Sequence, residues 1–203
     1  MKLNAKVRKM SKRENIEEDL SLTQKVSILL IGANSFQPVR GKLWFQKELF
    51  LIAQNIKELA EEADFESDFI GPYSEIVDEE LDQLKRQGIV SKQKVELTSD
   101  GRDVANRLRG QIPPKVLNLI SDMKRFLNDL TREELLGFIY YSYPKMRIDS
   151  VEFAEIDKIR GQIAISLFRK NKVSLGKAAL IAGMTQTDFI DALKEIGIKV
   201  FAE

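Results

Sequence analysis

Neither cysteine nor histidine occurs anywhere in this chain of 203 residues. Their absence rules out disulfides, a zinc site of the usual kind, and any nucleophile–base pair built on a thiolate or an imidazole. A carboxylate-only Mg²⁺ or Ca²⁺ site is left open by this argument. Long apolar runs are also missing. No stretch of 18 hydrophobic residues exists, so no membrane-spanning helix is expected. The basic N-terminus is not followed by the apolar segment of a secretory signal, which makes cytoplasmic residence the expectation. Neither a G-x-G-x-x-G pattern nor a phosphate-loop lysine motif is present. Tyr73 and Ser74 have no nearby base in sequence. No catalytic residue, metal ligand or cofactor is therefore nominated, and a non-enzymatic protein is expected.

With 43% hydrophobic and 31% charged residues, the chain has the composition of a globular protein of one domain or two small ones. Thirty-two Lys and Arg against 31 Asp and Glu leave a net charge of +1, so the total selects no partner. The distribution says more. Lys2, Lys6, Arg8, Lys9, Lys12 and Arg13 form a basic leader, residues 1–19, suited either to a solubilising tail or to an arm along a phosphate backbone. Residues 58–82 hold eleven acidic side chains and no basic one, a field that repels phosphate and suits a basic protein.

Apolar spacing predicts a helix over residues 20–33, capped by Ser21 or Thr23, and another from Leu43 towards Leu59 with room for a break. Gly71, Pro72 and Tyr73 mark a turn, and Ser74 caps a third helix that ends near Gly88. Short strands are expected at residues 89–91 and 94–97, then a helix capped by Thr98. That order predicts a winged helix with a small β-hairpin over residues 20–110. Gly110 and the Pro113–Pro114 pair mark a boundary. A helical lobe over residues 115–203 follows, with helices expected at 115–126, 132–141 and 155–169. It ends in a helix-turn-helix outline, with Gly183 at the turn and Thr185 capping the second helix. The fold class expected is mainly α.

Two hypotheses follow. In the first, the chain binds double-stranded DNA as a transcriptional regulator, and a homodimer would supply two half-sites. Lys42, Lys47, Lys92, Lys94, Arg102, Lys170, Lys172 and Lys177 would meet phosphates, with Lys92 and Lys94 at the wing. Gln186 and Thr187 would reach base edges. Trp44 serves either as a packing aromatic or as a nucleotide contact. In the second, the same folds form an adaptor for a protein partner. The acidic stretch 58–82 and the carboxylates Asp188 and Asp191 on the last helix support it.

Two segments resemble known families. RGKLWFQKELFLIAQNI, with FIGPYSEIVDEELDQLKRQGIV and VELTSDGR, resembles the YwgA-like winged-helix group and the Panacea, or SocA-like, domain. Gly41, Gln46, Lys47, Leu49, Phe50 and residues 71–74 occupy its pattern, with Glu48 at a usually apolar position. ISLFRKNKVSLGKAALIAGMTQTDFIDALKEIGIKVF, residues 165–201, resembles the UPF0175 family. Ser174, Gly176, Lys177, Ala178, Ala179, Ala182, Gly183, Phe189, Gly197 and Ile198 fit that pattern. This second resemblance implies an antitoxin-like helix-turn-helix role.

Overall fold

The computed structural model describes residues 18–198. The basic leader and Phe201 lie outside the described residues. The chain divides into two compact units, one comprising residues 1–65 and 74–128 and the other residues 66–73 and 129–203. The division falls after Asn128, not at Gly110–Pro114. The proline pair starts a helix instead of separating two lobes, because proline's missing N–H costs nothing in a first helical turn.

The first unit consists of α1 (Leu22–Phe36), α2 (Lys42–Ala53), α3 (Lys57–Ala63), α4 (Glu75–Arg86), α5 (Ser99–Arg109) and α6 (Pro114–Asn128). Helix α1 is apolar on every side and buried from Val26 to Ala33, as a central helix must be. It packs against α3, α4, α5 and α6. Its start is fixed by a reciprocal capping box, in which the Ser21 hydroxyl accepts from Gln24 N–H and the Gln24 side chain accepts from Ser21 N–H. Ser74 caps α4 and Thr98 caps α5, each by accepting a first-turn N–H. Between α2 and α3 the chain breaks at Ile56, which is extended.

No β-strand occurs among the described residues, so the expected hairpin and its wing are absent. Residues 89–97 form a loop closed by one bridge, Val90 to Leu97, with its apolar ends buried and its tip, residues 92–94, exposed. Two bonds make this bridge, Ser91 N–H to Glu96 O at 2.9 Å and Thr98 N–H to Ile89 O at 3.0 Å, and α5 begins directly after it at Ser99, which leaves no residues to lengthen it into a ladder. The apolar residues of the two expected strands, Ile89, Val90, Val95 and Leu97, are buried without forming a ladder.

The α1 helical geometry ends at Ala33, where Asn34 and Ser35 turn left-handed. Its exposed carbonyls are met from α6, whose Lys124 ammonium donates to Leu30 (3.0 Å), Ile31 (2.8 Å) and Ala33 (3.2 Å). Lys124 is fully buried, and so is Glu48 on α2, whose two carboxylate oxygens have no hydrogen-bond partner. Burial pushes the Glu48 carboxyl up to about 8, against the pull of Lys124, and pushes the Lys124 ammonium down to about 8.

The second unit contains α7 (Arg132–Ser142), a 3₁₀ turn (Pro144–Arg147), α8 (Phe153–Lys158), α9 (Arg160–Arg169), α10 (Leu175–Ala182) and α11 (Gln186–Glu195). The single helix expected at 155–169 is two helices, broken at Ile159. Residues 66–73 belong to this unit. The Phe69 carbonyl accepts from Val151 N–H at 3.1 Å and Ser67 Oγ from Asp149 N–H at 3.1 Å. Helices α7 and α9 cross closely at Gly137, where an added Cβ would stand 2.8 Å from Ile163 Cγ2.

Candidate interaction surfaces

The last two helices are built as their sequence suggests. Ser174 caps α10 and Thr185 caps α11. Gly183 follows α10 with φ of +73°, and two bonds close the turn, Gly183 N–H to Leu180 O and Met184 N–H to Ala179 O. Phe189 lies beneath, 1% exposed, edge-on to Phe168 with centroids 6.1 Å apart. Sequence reasoning missed Arg160. Its guanidinium donates to Ile181 O (2.7 Å) and Leu180 O (3.2 Å), satisfying the carbonyl end of α10. It lies 4.2 Å from the Tyr141 ring centroid and pairs with Asp157, which also accepts from the Tyr141 hydroxyl. Burial and that bond push the Tyr141 phenol up to about 12. An arginine cap reaching back 20 residues leaves no local pattern, so nothing in the sequence could have marked it.

Two of the three cations nominated for phosphate in this unit, Lys170 and Lys172, are engaged internally. Lys170 donates to Glu134 at 2.8 Å and to the Asp129 carbonyl at 3.2 Å. Lys172 pairs with Asp129 at 3.0 Å. Glu134 is buried and also accepts from Ser166 Oγ at 2.5 Å and Thr131 N–H at 2.7 Å. Burial works against its ionisation, yet the bonds from Lys170, Ser166 and Thr131 together hold its pKa below the usual value. Lys177 is half-buried, and desolvation lowers its pKa. Gln186 and Thr187 are exposed at the start of α11.

What the outer side of α10 and α11 does present is apolar and acidic. Leu180 is 53% exposed, Met184 44% and Ile196 55%. Asp188, Asp191 and Glu195 are exposed on α11, as is Lys194, which is tied to Asp191 at 2.8 Å.

In the first unit, Lys42 is paired with Asp78 and Lys47 is buried. Arg102 lies 5.0 Å from the Phe36 ring centroid. Lys92 and Lys94 are exposed on the loop that replaces the expected wing. Trp44 is a packing residue, its indole N–H donating to Leu127 O at 3.1 Å. The Gly71–Ser74 turn is structural. The Ser74 hydroxyl donates to the Ala63 carbonyl, while Gln46 bonds both the N–H and the C=O of Ser74. The acidic stretch is partly internal, since Glu62 accepts from Thr23 N–H at 2.7 Å and Glu80 from Ser21 Oγ at 2.6 Å. Among the described residues, no group of three or more carboxylates converges as a metal site would require, and no helix is long and apolar enough to cross a membrane.

Residues 139–202 match the profile of UPF0175, an uncharacterised protein family. The match begins inside α7 and runs through α11, starting 26 residues upstream of the segment 165–201 that carries the resemblance. No curated protein and no solved structure matches the chain.

Proposed function

We propose that the chain is a non-enzymatic, antitoxin-like interaction protein whose second unit docks a protein partner on the outer side of α10 and α11. One observation carries this reading. The unit's candidate phosphate ligands Lys170 and Lys172 are paired with its own carboxylates, while Leu180 and Met184 stand exposed on the same two-helix element as the exposed Asp188 and Asp191. Releasing Lys170 to a phosphate would leave Glu134 buried without its cation, a cost that opposes DNA binding there. Exposed apolar residues on helices that carry more acidic than basic exposed side chains suit a partner with an apolar centre and a basic rim. A second copy of this chain is a poor occupant, since a two-fold contact would set the acidic rim against itself.

The reading is tested with the full chain carrying a photoreactive residue at position 180 or, as a control, at position 92. A discrete adduct with one other protein at position 180, lost in Asp188→Lys/Asp191→Lys, is the expected result. Adducts only with itself, or low-salt duplex binding weakened by Gln186→Ala, would overturn it in favour of self-association or DNA.

A further inference from the structure

Three consecutive non-glycine residues of the first unit lie in the left-handed region, Asn34 (φ 52°), Ser35 (φ 56°) and Phe36 (φ 62°). L-residues avoid this region because Cβ crowds the carbonyl oxygen, and a bulky side chain such as Phe is seldom found there. Such turns persist where their surroundings over-determine them, and they concentrate at sites that clamp ligands. Here the surroundings are explicit. The Asn34 amide donates to Ser121 O at 3.1 Å, and Gln37 N–H closes back on Asn34 O at 3.2 Å. Arg109 donates to the Gly32 carbonyl and lies 4.9 Å from the Phe36 ring centroid.

The strained turn lines one side of a cavity of about 550 Å³, and α6 lines the other from Leu117 to Arg125. Its lining has two characters. Leu117 supplies an accessible apolar part above the buried Leu29 and Ile120, while Asn118, Arg109 and Arg125 supply a polar, cationic one. Asp122 is the one carboxylate in the lining. The volume falls within the range of sites for small organic ligands.

We propose that this cavity binds a small organic anion, with an apolar or aromatic body against Leu117 and a carboxylate or phosphate received by Arg125. Arg125 is paired to Asp122 through one Nη1 contact at 3.1 Å, and both side chains are largely exposed. A surface pair of this kind is weak, and the planar fork keeps donors for a second oxyanion. Arg109 is fixed by Gly32 and Phe36, so its charge is in place before the ligand arrives. Neither the strained turn nor the cavity has a part in partner docking by the second unit, so the two proposals stand or fall separately.

The test is calorimetric titration of the full chain with phenyl phosphate and with benzoate. Benzyl alcohol serves as the uncharged body and inorganic phosphate as the anion without a body. Saturable binding of at least one aryl anion, tighter than either partial probe, is expected. Arg125→Gln should weaken it about tenfold or more, the worth of one charge-assisted hydrogen bond. Asn118→Trp should abolish it by filling the cavity. Both positions are exposed, and Trp44 emission or circular dichroism verifies that each variant is folded. Absence of saturable binding by both aryl anions at millimolar concentration would overturn the proposal. So would benzyl alcohol binding as tightly, or unchanged affinity in both variants.

Discussion

Glu48 in the first unit and Glu134 in the second are both buried carboxyls on helices. Glu48 has no hydrogen-bond partner for either oxygen, whereas Glu134 receives bonds from Thr131, Ser166 and Lys170. Their pKa values move in opposite directions as a result. The same chemical group becomes a neutral acid in one setting and a firmly ionised anchor in the other, and partners decide which. The contrast extends to the lysines. Lys124 is buried on the carbonyls that end α1, while Lys170 holds a carboxylate nearer the surface. Stability of the first unit should therefore vary with pH around neutrality, and the second unit's should not. The single tryptophan, Trp44, lies in the first unit and all four tyrosines, at 73, 140, 141 and 143, lie in the second. Indole and phenol signals thus report the two units separately.

The largest effect should come from Lys124→Ala. It strips three α1 carbonyls of their donor and opens a void, costing about 3–5 kcal/mol. Urea unfolding followed at Trp44 should show the loss while the tyrosine transition stays put. Equal shifts in both signals would break the separation of the units.

Next in size is the pH response of Glu48. Its folded pKa of about 8 exceeds the unfolded value of 4.5, so between these the folded chain binds the extra proton. Stability of the first unit should fall as pH rises through that window, by at most about 1.4 kcal/mol per pH unit. Lys124, lowered from 10.5 to about 8, has the opposite sign above pH 8, where its deprotonation lets stability recover. Glu48→Gln should flatten the fall between pH 5 and 8. A wild-type Trp44 transition flat over that range would show that Glu48 is ionised or solvated.

A smaller effect is expected at Gly183. A valine there must adopt φ of +73° and place Cβ 2.8 Å from the Arg160 guanidinium carbon, for a cost of about 1–3 kcal/mol. The tyrosine transition should move and the Trp44 transition should not. Unchanged stability would mean that the α10 turn tolerates a side chain. Least affected of all should be Lys92→Ala with Lys94→Ala. Both are exposed, so stability should change by less than about 0.5 kcal/mol. If duplex binding nonetheless fell with a reduced salt slope, the exposed loop of the first unit would be a phosphate contact.

Local rules carried much of this architecture. Ser21, Ser74, Thr98 and Thr185 cap helices because a hydroxyl before an apolar periodic run has one obvious acceptor role. Gly183 was legible as a left-handed turn for a similar reason. The hairpin is not formed because Ile89, Val90, Val95 and Leu97 can be buried by a loop closed with a single bridge as well as by a two-stranded ladder. The break at Ile159 and the left-handed run at 34–36 left no signal, since neither position carries glycine or proline. Glu48 did leave one, as a carboxyl where the resembling sequences are apolar, but its consequence depended on Lys124, 76 residues away.

Composition alone removed disulfides, imidazole and thiol chemistry, because those side chains are not in the chain. Hydroxyl caps and helical periodicity located the helices, because those signals act within a few residues. Which cations are free to meet a partner was decided only in three dimensions. Lys170 is separated by 36 residues from Glu134 and Arg160 by 20 from Leu180, and pairing at such distances follows from how helices pack. A charge counted in the sequence is a potential contact, and the folded chain determines whether its own carboxylates and carbonyls have already taken it.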